Sequence, residues 1–308
     1  MAKEAIEEML VTYHELNGDM DELHEDPSPL DLMRFVAKNR PFVVRGGCST
    51  WPAMQKWNVE YLKKIMRDTP IKVAITPYGS VSRSYNVTFD HTSAECFYSN
   101  ADSPVMNAVD GSICFAKPFE MYEAFMDFLD YLRSQNLREE ESLVKYSQTR
   151  KAKAQCTWCF KALICRIEND NLRGEYMPLY KDLEPDIRFA SIALQRKPDA
   201  INLWIGNSRS TTALHRDNYE NIYCQILGSK DFVLLPPVET ACVNEQFLSS
   251  ATYSDTMEVT LDEPPVQVPC AIWDPDEPHK HSTEFSHLSR PIRVTVNPGD
   301  MLYLPACW

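Results

Sequence analysis

The sequence predicts a mainly β protein with α-helical decoration in its N-terminal part. From Ala200 onwards, short apolar and aromatic segments are separated by turns rich in Gly, Pro, Asn and Asp, which is typical of a β-sandwich or barrel. Upstream of Ala200, several segments carry apolar residues at spacings of three and four, as amphipathic helices do. The chain has 308 residues with 44% hydrophobic and 24% charged side chains, so disorder of the whole chain is excluded.

The apolar spacing predicts alternating helices and short strands in the first part of the chain. Two strands are indicated by consecutive or alternating apolar residues, and the helices by apolar stripes. The predicted elements are a helix over 4–24 with Ile6, Met9, Leu10, Tyr13 and Leu16 on its apolar face, a helix over 30–38 that buries Leu30, Met33 and Val36, a strand over 41–46, a helix over 59–66, a strand over 71–75, and a helix over 119–132 with a stripe of Tyr122, Phe125, Met126, Leu129 and Leu132.

The second part of the chain is predicted to hold the β core. We expect an N-terminal helical and β segment, residues 1–135, to brace a β domain over 136–308. The predicted strands of that domain cover 201–205, 222–227, 232–235, 292–296 and 301–304.

Two segments interrupt this organisation. Residues 80–105 are polar and aperiodic, which predicts a long loop, and a loop of this length fits a compact domain poorly. Residues 149–166 are basic in an otherwise acidic chain, and they contain Cys156, Cys159 and Cys165. These cysteines do not predict zinc, because a structural zinc site needs four ligands. A redox pair is not favoured either, since the surrounding βαβ pattern is missing.

The charge balance limits the partners. Acidic residues outnumber basic ones by 44 to 31, which gives a net charge of −13. This balance disfavours sequence-independent binding of nucleic acid and favours a basic protein or peptide. The sequence contains no run of 18 apolar residues, so no membrane-spanning helix is predicted. The acidic N-terminus does not resemble a signal peptide. The ten scattered cysteines are expected to be reduced thiols of a cytoplasmic protein, with the nucleus as a second compartment.

The most informative segment is 211–230. If it is extended, alternate side chains share one face, and none of the residues on that face is aliphatic. These residues are His215, Asp217, Tyr219, Asn221, Tyr223 and Gln225.

The His-x-Asp triplet within this segment suggests a metal site. His215 and Asp217 provide an imidazole and a carboxylate, two of the three ligands in the facial triad of non-haem Fe(II) oxygenases. The ammonium of Lys230 could pair with a carboxylate of a 2-oxo acid, and Thr212 could add a hydroxyl donor. The bare triplet also fits a hydrogen-bonded histidine on a half-exposed strand. Its spacing to Asn221 and Lys230 favours the metal interpretation.

This arrangement resembles a known family. The pattern Thr-x-x-His-x-Asp-x-x-x-Asn-x-Tyr-x-x-x-x-Gly-x-Lys over 212–230, followed by Phe-Val-Leu-Leu-Pro-Pro, is similar to the core of the JmjC 2-oxoglutarate oxygenases. Segments 39–57, 197–206 and 298–306 resemble the small lysyl hydroxylase branch of that family, to which a peptidase activity is also ascribed. The resemblance implies a double-stranded β-helix, which is a jelly-roll, cupin-like core.

The resemblance also implies a role for individual residues. His215 and Asp217 match iron ligands, and Trp204 and Tyr223 would line the pocket. The residues expected to face 2-oxoglutarate are Thr212, Asn221, Lys230 and Tyr146.

The implied activity is Fe(II)- and 2-oxoglutarate-dependent (3S)-hydroxylation of a lysyl residue. The resemblance points to GTP-binding proteins as substrates and to a homodimer. Three alternatives stay open: a peptidase that cleaves basic histone tails, a histone lysine demethylase, and a non-catalytic cupin-like binding module.

The sequence departs from the family pattern in two ways. In the family a second histidine ligand follows Leu-Pro-x-x-Trp, whereas this sequence ends at Trp308. We therefore expect a β core that is incomplete at its C-terminus, a third ligand beyond Trp308, and no hydroxylase activity from the 308-residue chain. His279, His281 and His287 lie upstream and are expected to be solvated. Relative to the family, 80–105 and 149–166 are insertions.

Overall fold

The computed structural model describes residues 2–77, 103–106, 112–135, 143–146, 170–184, 186–207, 210 and 212–308. The predicted insertion over 149–166, with its three cysteines, lies outside these residues, and so does most of the segment 80–105. None of the described helices is long and apolar enough to cross a membrane.

Within the described residues the chain forms short helices and many short strands. The helices are α1 (Ala2–Leu16), α2 (Pro29–Lys38), α3 (Pro52–Lys56), α4 (Val59–Met66), α5 (Phe125–Gln135), α6 (Met177–Tyr180) and α7 (Arg188–Leu194). The strands are β1 (Asp21–Leu23), β2 (Phe42–Val44), β3 (Pro70–Pro77), β4 (Ser103–Met106), β5 (Ile113–Lys117), β6 (Phe119–Ala124), β7 (Leu143–Tyr146), β8 (Asn221–Cys224), β9 (Lys230–Leu234), β10 (Glu245–Tyr253), β11 (Val259–Leu261), β12 (Gln267–Ala271), β13 (Ile292–Val296) and β14 (Met301–Leu304). The predicted fold class, mainly β with helical decoration, is confirmed.

Two sheets enclose the apolar interior that carries the predicted site. One has the order β1-β2-β14-β8, and the other pairs β9 with β13 in antiparallel fashion. Their facing side chains form one cluster: Leu234, Val294, Val296 and Leu302, with Tyr223, Phe232, Ile292 and Leu304 packed against them. Because strands from distant parts of the sequence meet across one interior, the arrangement is consistent with a jelly-roll core.

A larger sheet lies outside this pair, in the order β11-β10-β5-β4, with β12 also paired to β10. Its central strand β10 runs parallel to β5, and Cys114, Ala116 and Ala251 are buried between them. The prediction of a loop over 80–105 is wrong at its end, because β4 begins at Ser103 and pairs with β5. Pairing to a neighbouring strand can order residues whose own pattern is polar.

The fourth sheet, β6-β3-β7, packs on α4 and α5. The predicted helix over 119–132 is wrong in its first half, since 119–124 form β6. β6 pairs with β3 from Phe119 opposite Ile75 to Ala124 opposite Pro70, and this ladder overrides the helical spacing. Tyr122, predicted to be buried, is exposed, whereas Phe125 of α5 is fully buried.

The two N-terminal helices are confirmed in type and corrected in detail. α1 ends at Leu16, and residues 21–23 form β1 because they pair with β2, so the predicted extension to 24 is wrong. α2 begins where Ser28 accepts a hydrogen bond from the Asp31 backbone N–H, a normal N-cap. It buries Leu32, while the side chain of Leu30, predicted to be buried, is 62% exposed, and Met33 is also exposed. The helix packs against β2 and α7. These contacts bury a different face of the helix from the one that was predicted to be buried.

The strand predicted over 201–205 is largely absent from the described structure, which shows only an isolated bridge at Ile205. The backbone of Leu203 is satisfied by a side chain instead. Its N–H donates to Asn171 Oδ1 at 2.7 Å, and its carbonyl accepts from Asn171 Nδ2 at 2.9 Å. A side-chain amide thus replaces the ladder that a strand would need.

Candidate metal and cosubstrate site

The residues that precede β8 are not extended strand, as the alternation had predicted. Thr212 forms an isolated bridge, and residues 213–220 are irregular up to the start of β8 at Asn221. The shared face expected for six residues is therefore wrong for His215, Asp217 and Tyr219. Irregular backbone can still bring neighbouring side chains together, and loops often carry binding residues on a rigid scaffold.

The imidazole of His215 and the carboxylate of Asp217 face each other. His215 Nδ1 lies 2.8 Å from the carbonyl oxygen of Ala213, so Nδ1 carries the proton and donates. The other ring nitrogen, Nε2, is directed at the carboxylate and lies 3.8 Å from Asp217 Oδ2. That distance exceeds a hydrogen bond. An imidazole nitrogen and a carboxylate oxygen are both common metal ligands.

The geometry fits a divalent metal. Imidazole nitrogen and carboxylate oxygen bind such ions at roughly 2.0–2.2 Å, so two ligands of one ion can lie up to about 4.2 Å apart. The Ala213 carbonyl acts as an outer-shell acceptor that holds the ring and its tautomer. Nothing in the sequence signals this carbonyl, because any residue supplies one.

The other histidines do not complete the site. Among the described residues, no group of three His, Cys, Asp or Glu side chains could hold a metal. His279 and His287 are exposed, and His281 lies where its carbonyl accepts from Asn244 Nδ2 at 2.8 Å. His279 and His287 are therefore solvated as expected, whereas His281 is only partly exposed and His287 lies in the short 3-10 helix Ser286–Leu288.

Lys230 begins β9 with its side chain directed to the interior. It shares a strand face with Phe232 and Leu234, which belong to the apolar cluster between the sheets, and it lies opposite Val296 of β13. Burial lowers the pKa of its ammonium, and the nearby charge of Asp231 opposes this only partly. The side chain is only partly buried, and among the described residues the ammonium has no salt bridge or hydrogen bond.

β8 contributes two of the predicted residues. The ring of Tyr223 packs edge-on against Phe232, with 5.0 Å between centroids, and burial raises its pKa to about 12. The phenol is therefore neutral at any working pH. Asn221 lies at the exposed start of the strand, opposite Leu304 of β14.

For the remaining predicted residues the structure gives exposure or strand position. Thr212 is partly buried, and Trp204 is exposed next to the packed Leu203 and Ile205. Tyr146 lies in β7 opposite Ala74, but its side chain is outside the described part of the structure.

The residues after β14 run alongside the His-x-Asp segment. The backbone N–H of Cys307 donates to the carbonyl of Asp217 at 2.5 Å, and Cys307 Sγ lies 3.5 Å from Asn218 Oδ1. Tyr303 donates its hydroxyl hydrogen to the carboxylate of Glu220. These contacts hold residues 303–307 next to the predicted metal ligands.

Comparison with known proteins supports the same assignment. The cupin-like domain profile matches residues 27–308. The chain is 32% identical over 291 residues to the human bifunctional peptidase and (3S)-lysyl hydroxylase JMJD7, covering 93% of this chain and 77% of the relative. It is 29% identical over 324 residues to the lysine-specific demethylase JMJ32 of Arabidopsis thaliana, covering 100% and 81%. It is 26% identical over 301 residues to the JmjC domain-containing protein E of Dictyostelium discoideum, covering 92% and 75%.

The structure has paired sheets around an apolar interior, with an imidazole and a carboxylate at one side, as in cupin-like proteins. The chain belongs to the cupin-like domain family. Within it the chain belongs to the JmjC branch of 2-oxoglutarate-dependent oxygenases. Members of this branch generally depend on Fe(II) and 2-oxoglutarate.

Proposed function

We propose that this protein is an Fe(II)- and 2-oxoglutarate-dependent protein-lysine (3S)-hydroxylase. The observation that carries the proposal is the pair formed by His215 Nε2 and Asp217 Oδ2, which face each other at 3.8 Å without a hydrogen bond. The Ala213 carbonyl fixes the tautomer in which that nitrogen can bind a metal.

His215 and Asp217 would hold the iron, His215 as a neutral ligand and Asp217 as an anionic one. The contact of Cys307 with the Asp217 carbonyl places the residues after β14 beside these two ligands.

Lys230 would pair with the distal carboxylate of 2-oxoglutarate. The uncompensated, partly buried ammonium supports this role. Thr212, Asn221 and Tyr146 would add polar contacts to the cosubstrate, and Tyr223 with its apolar neighbours would keep water out of the interior. When bound, Fe(II) and 2-oxoglutarate would supply, with O2 as the oxidant, decarboxylation of 2-oxoglutarate to succinate and CO2 coupled to hydroxylation of a C–H bond; one oxygen atom of O2 would enter succinate and the other the substrate.

The substrate would be a lysine-bearing protein. The net charge of −13 supports a basic partner, and the human relative is named as a lysyl hydroxylase. We propose a GTP-binding protein as the target and a homodimer as the active form, in the cytoplasm and the nucleus.

Lysine demethylation is a second candidate, because the Arabidopsis relative that aligns with the whole chain is named as a demethylase. The peptidase part of the human relative's name supports cleavage of basic histone tails as a third. A lysyl peptide and its methyl-lysyl form, tested side by side, separate the three by mass. Hydroxylation adds one oxygen atom, demethylation removes a methyl group from the methylated peptide, and proteolysis gives two fragments. A binding module would leave the peptide intact and bound.

The metal site is tested by substitution. We expect His215→Ala and Asp217→Asn each to weaken binding of Mn(II), a stand-in for Fe(II), by at least about tenfold, as measured by calorimetry. His287→Ala, which changes an exposed histidine, is the matched control and should bind as the unmodified chain does. Unchanged affinity in both site variants would contradict the proposed metal site.

A further inference from the structure

The chain after β14 makes a tight turn beside the proposed metal ligands. The backbone N–H of Trp308 donates to the Pro305 carbonyl at 3.3 Å, which closes a four-residue turn over 305–308. Cys307 in this turn has a φ of 71°, a left-handed conformation that residues other than glycine rarely adopt. Such a conformation persists where the surrounding structure holds it, so the contacts of the 305–308 turn matter.

Asn39 makes these contacts on one side of the turn. It is the C-cap residue of α2, with a φ of 49°. Its Nδ2 donates to the carbonyl of Ala306 at 3.0 Å. Its Oδ1 and its backbone carbonyl both accept from Trp308 Nε1, at 2.6 Å and 2.9 Å. Both ends of one side-chain amide therefore bind the 305–308 turn and fix its place against α2.

The other side of the turn binds the segment that carries the metal ligands. The backbone N–H of Cys307 donates to the carbonyl of Asp217 at 2.5 Å, and Cys307 Sγ lies 3.5 Å from Asn218 Oδ1. Asp217 lies in the irregular segment before β8. A hydrogen bond to its backbone therefore limits the directions that its carboxylate can take, and this carboxylate is the group that lies 3.8 Å from His215 Nε2.

We propose that Asn39 is a positioning residue for metal binding: its amide holds the 305–308 turn, and the turn holds Asp217 with its carboxylate directed at His215. The inference rests on the proposed metal site. Groups that orient metal ligands without touching the metal contribute to metal affinity, because the ligands are then already in place when the ion arrives. Nothing in the local sequence around Asn39 signals this role, since the contacts join residues more than 170 positions apart.

Two variants of Asn39 separate its amide from its backbone conformation. Asn39→Gly removes the amide, and glycine adopts a positive φ without strain. Asn39→Asp keeps an oxygen that can accept from Trp308 but loses the donor to Ala306. Gln195→Gly is the matched control, because Gln195 is an exposed C-cap residue of α7 with a φ of 53°.

The first test needs no metal. Exchange of the Cys307 amide hydrogen is followed by NMR on chain labelled with [15N]cysteine, with Cys307→Ser to assign the signal. Loss of two hydrogen bonds in Asn39→Gly should speed this exchange by about tenfold or more. Asn39→Asp should change it in the same direction, and Gln195→Gly should not change it. Urea denaturation gives the fold-change in the unfolding constant, which the change in exchange rate should exceed. An unchanged exchange rate in both Asn39 variants would overturn the inference.

The second test measures the affinity for Mn(II) by calorimetry. Asn39→Gly should weaken binding about tenfold, and Gln195→Gly should bind as the unmodified chain does. In the Asp217→Asn background, Asn39→Gly should have no further effect, because the ligand that it positions is already altered. Equal losses in both backgrounds would show that Asn39 acts independently of Asp217, against the inference.

The two proposals fail in different ways. If His215→Ala and Asp217→Asn leave the Mn(II) affinity unchanged, the proposed metal site is wrong, and the positioning role of Asn39 is wrong with it. If those two variants weaken binding and Asn39→Gly does not, the metal site stands and only the role of Asn39 is wrong.

Discussion

At the scale of single residues, burial and hydrogen bonding decide what each charged side chain does. Asp182 is fully buried and accepts hydrogen bonds from Lys56 Nζ at 2.8 Å, Trp57 Nε1 at 3.3 Å and Tyr61 hydroxyl at 2.5 Å. Asp217, in contrast, is partly exposed and lies with Oδ2 3.8 Å from His215 Nε2. The first carboxylate accepts three hydrogen bonds and braces the fold, while the second is the proposed metal ligand.

Asp182→Asn tests the structural role of the first carboxylate. Since an amide cannot accept all three donors, we expect the free energy of unfolding to fall by about 2–3 kcal/mol, as measured by urea denaturation. Asp199→Asn, which removes an exposed ion pair with Arg196, should change it by less than about 0.5 kcal/mol. A loss no larger than that of the control would contradict the bracing role.

The same variant has a predicted pH dependence. Burial opposes ionisation of Asp182, but hydrogen bonds from Lys56, Tyr61 and Trp57 outweigh it and hold its pKa below the usual range. A carboxyl with a lowered pKa in the folded state stabilises above its unfolded pKa, and this contribution is lost as pH falls through the folded pKa. The stability difference between the unmodified chain and Asp182→Asn should therefore be constant near neutral pH and shrink below about pH 4. A difference that grows on acidification would contradict it.

At the scale of elements, contacts between distant parts of the sequence hold the predicted core together. α1 docks through Leu10 on a cluster with Cys242 and Phe285, more than two hundred residues further along the chain. Arg45, just after β2, bridges Glu22 and Asp300, with 2.7 Å to a carboxylate oxygen of each. The N-terminal elements therefore brace the C-terminal sheets directly.

Docking of α1 is tested by two leucines of the same helix. Leu10 is fully buried, so Leu10→Ala should lower the free energy of unfolding by about 2–4 kcal/mol. The side chain of Leu16 is 79% exposed, and Leu16→Ala should cost less than about 0.5 kcal/mol. Both are measured by urea denaturation, and similar values for the two variants would show that α1 does not dock as described.

At the scale of the whole molecule, the excess of acidic residues creates a long-range electrostatic attraction for basic peptides. A net charge of −13 favours encounter with basic peptides and repels acidic ones. This field acts at a distance and is screened by salt. It supports the choice of a basic partner.

Binding of a lysine-rich peptide should weaken steadily as NaCl rises from about 0.05 to 0.5 M, because the Debye length shortens over this range. Fluorescence anisotropy of a labelled peptide measures the effect. A peptide of the same length with glutamate in place of lysine should not bind at any salt concentration. Affinity that is independent of salt would show that the overall charge does not drive recognition.

Much of the fold was predictable from local patterns. The strands 292–296 and 301–304 and the helix 59–66 match β13, β14 and α4, because their apolar spacing agrees with their tertiary contacts. The prediction from apolar spacing was wrong where contacts with a neighbouring strand or helix determined the secondary structure or the buried face. β6 is a strand because β3 pairs with it, and α2 turns its Leu32 inward because β2 and α7 lie there.

The sequence by itself determined the chemical types at the predicted site: an imidazole, a carboxylate two residues later, and a lysine after a turn. It also determined the acidic charge and the mainly β class. Only the tertiary structure decided that His215 and Asp217 face each other from irregular backbone, and that Lys230 shares a strand face with the apolar residues between the two sheets. The physical reason is that residue identity sets which bonds a group can form, whereas burial and direction depend on strands brought together from across the chain.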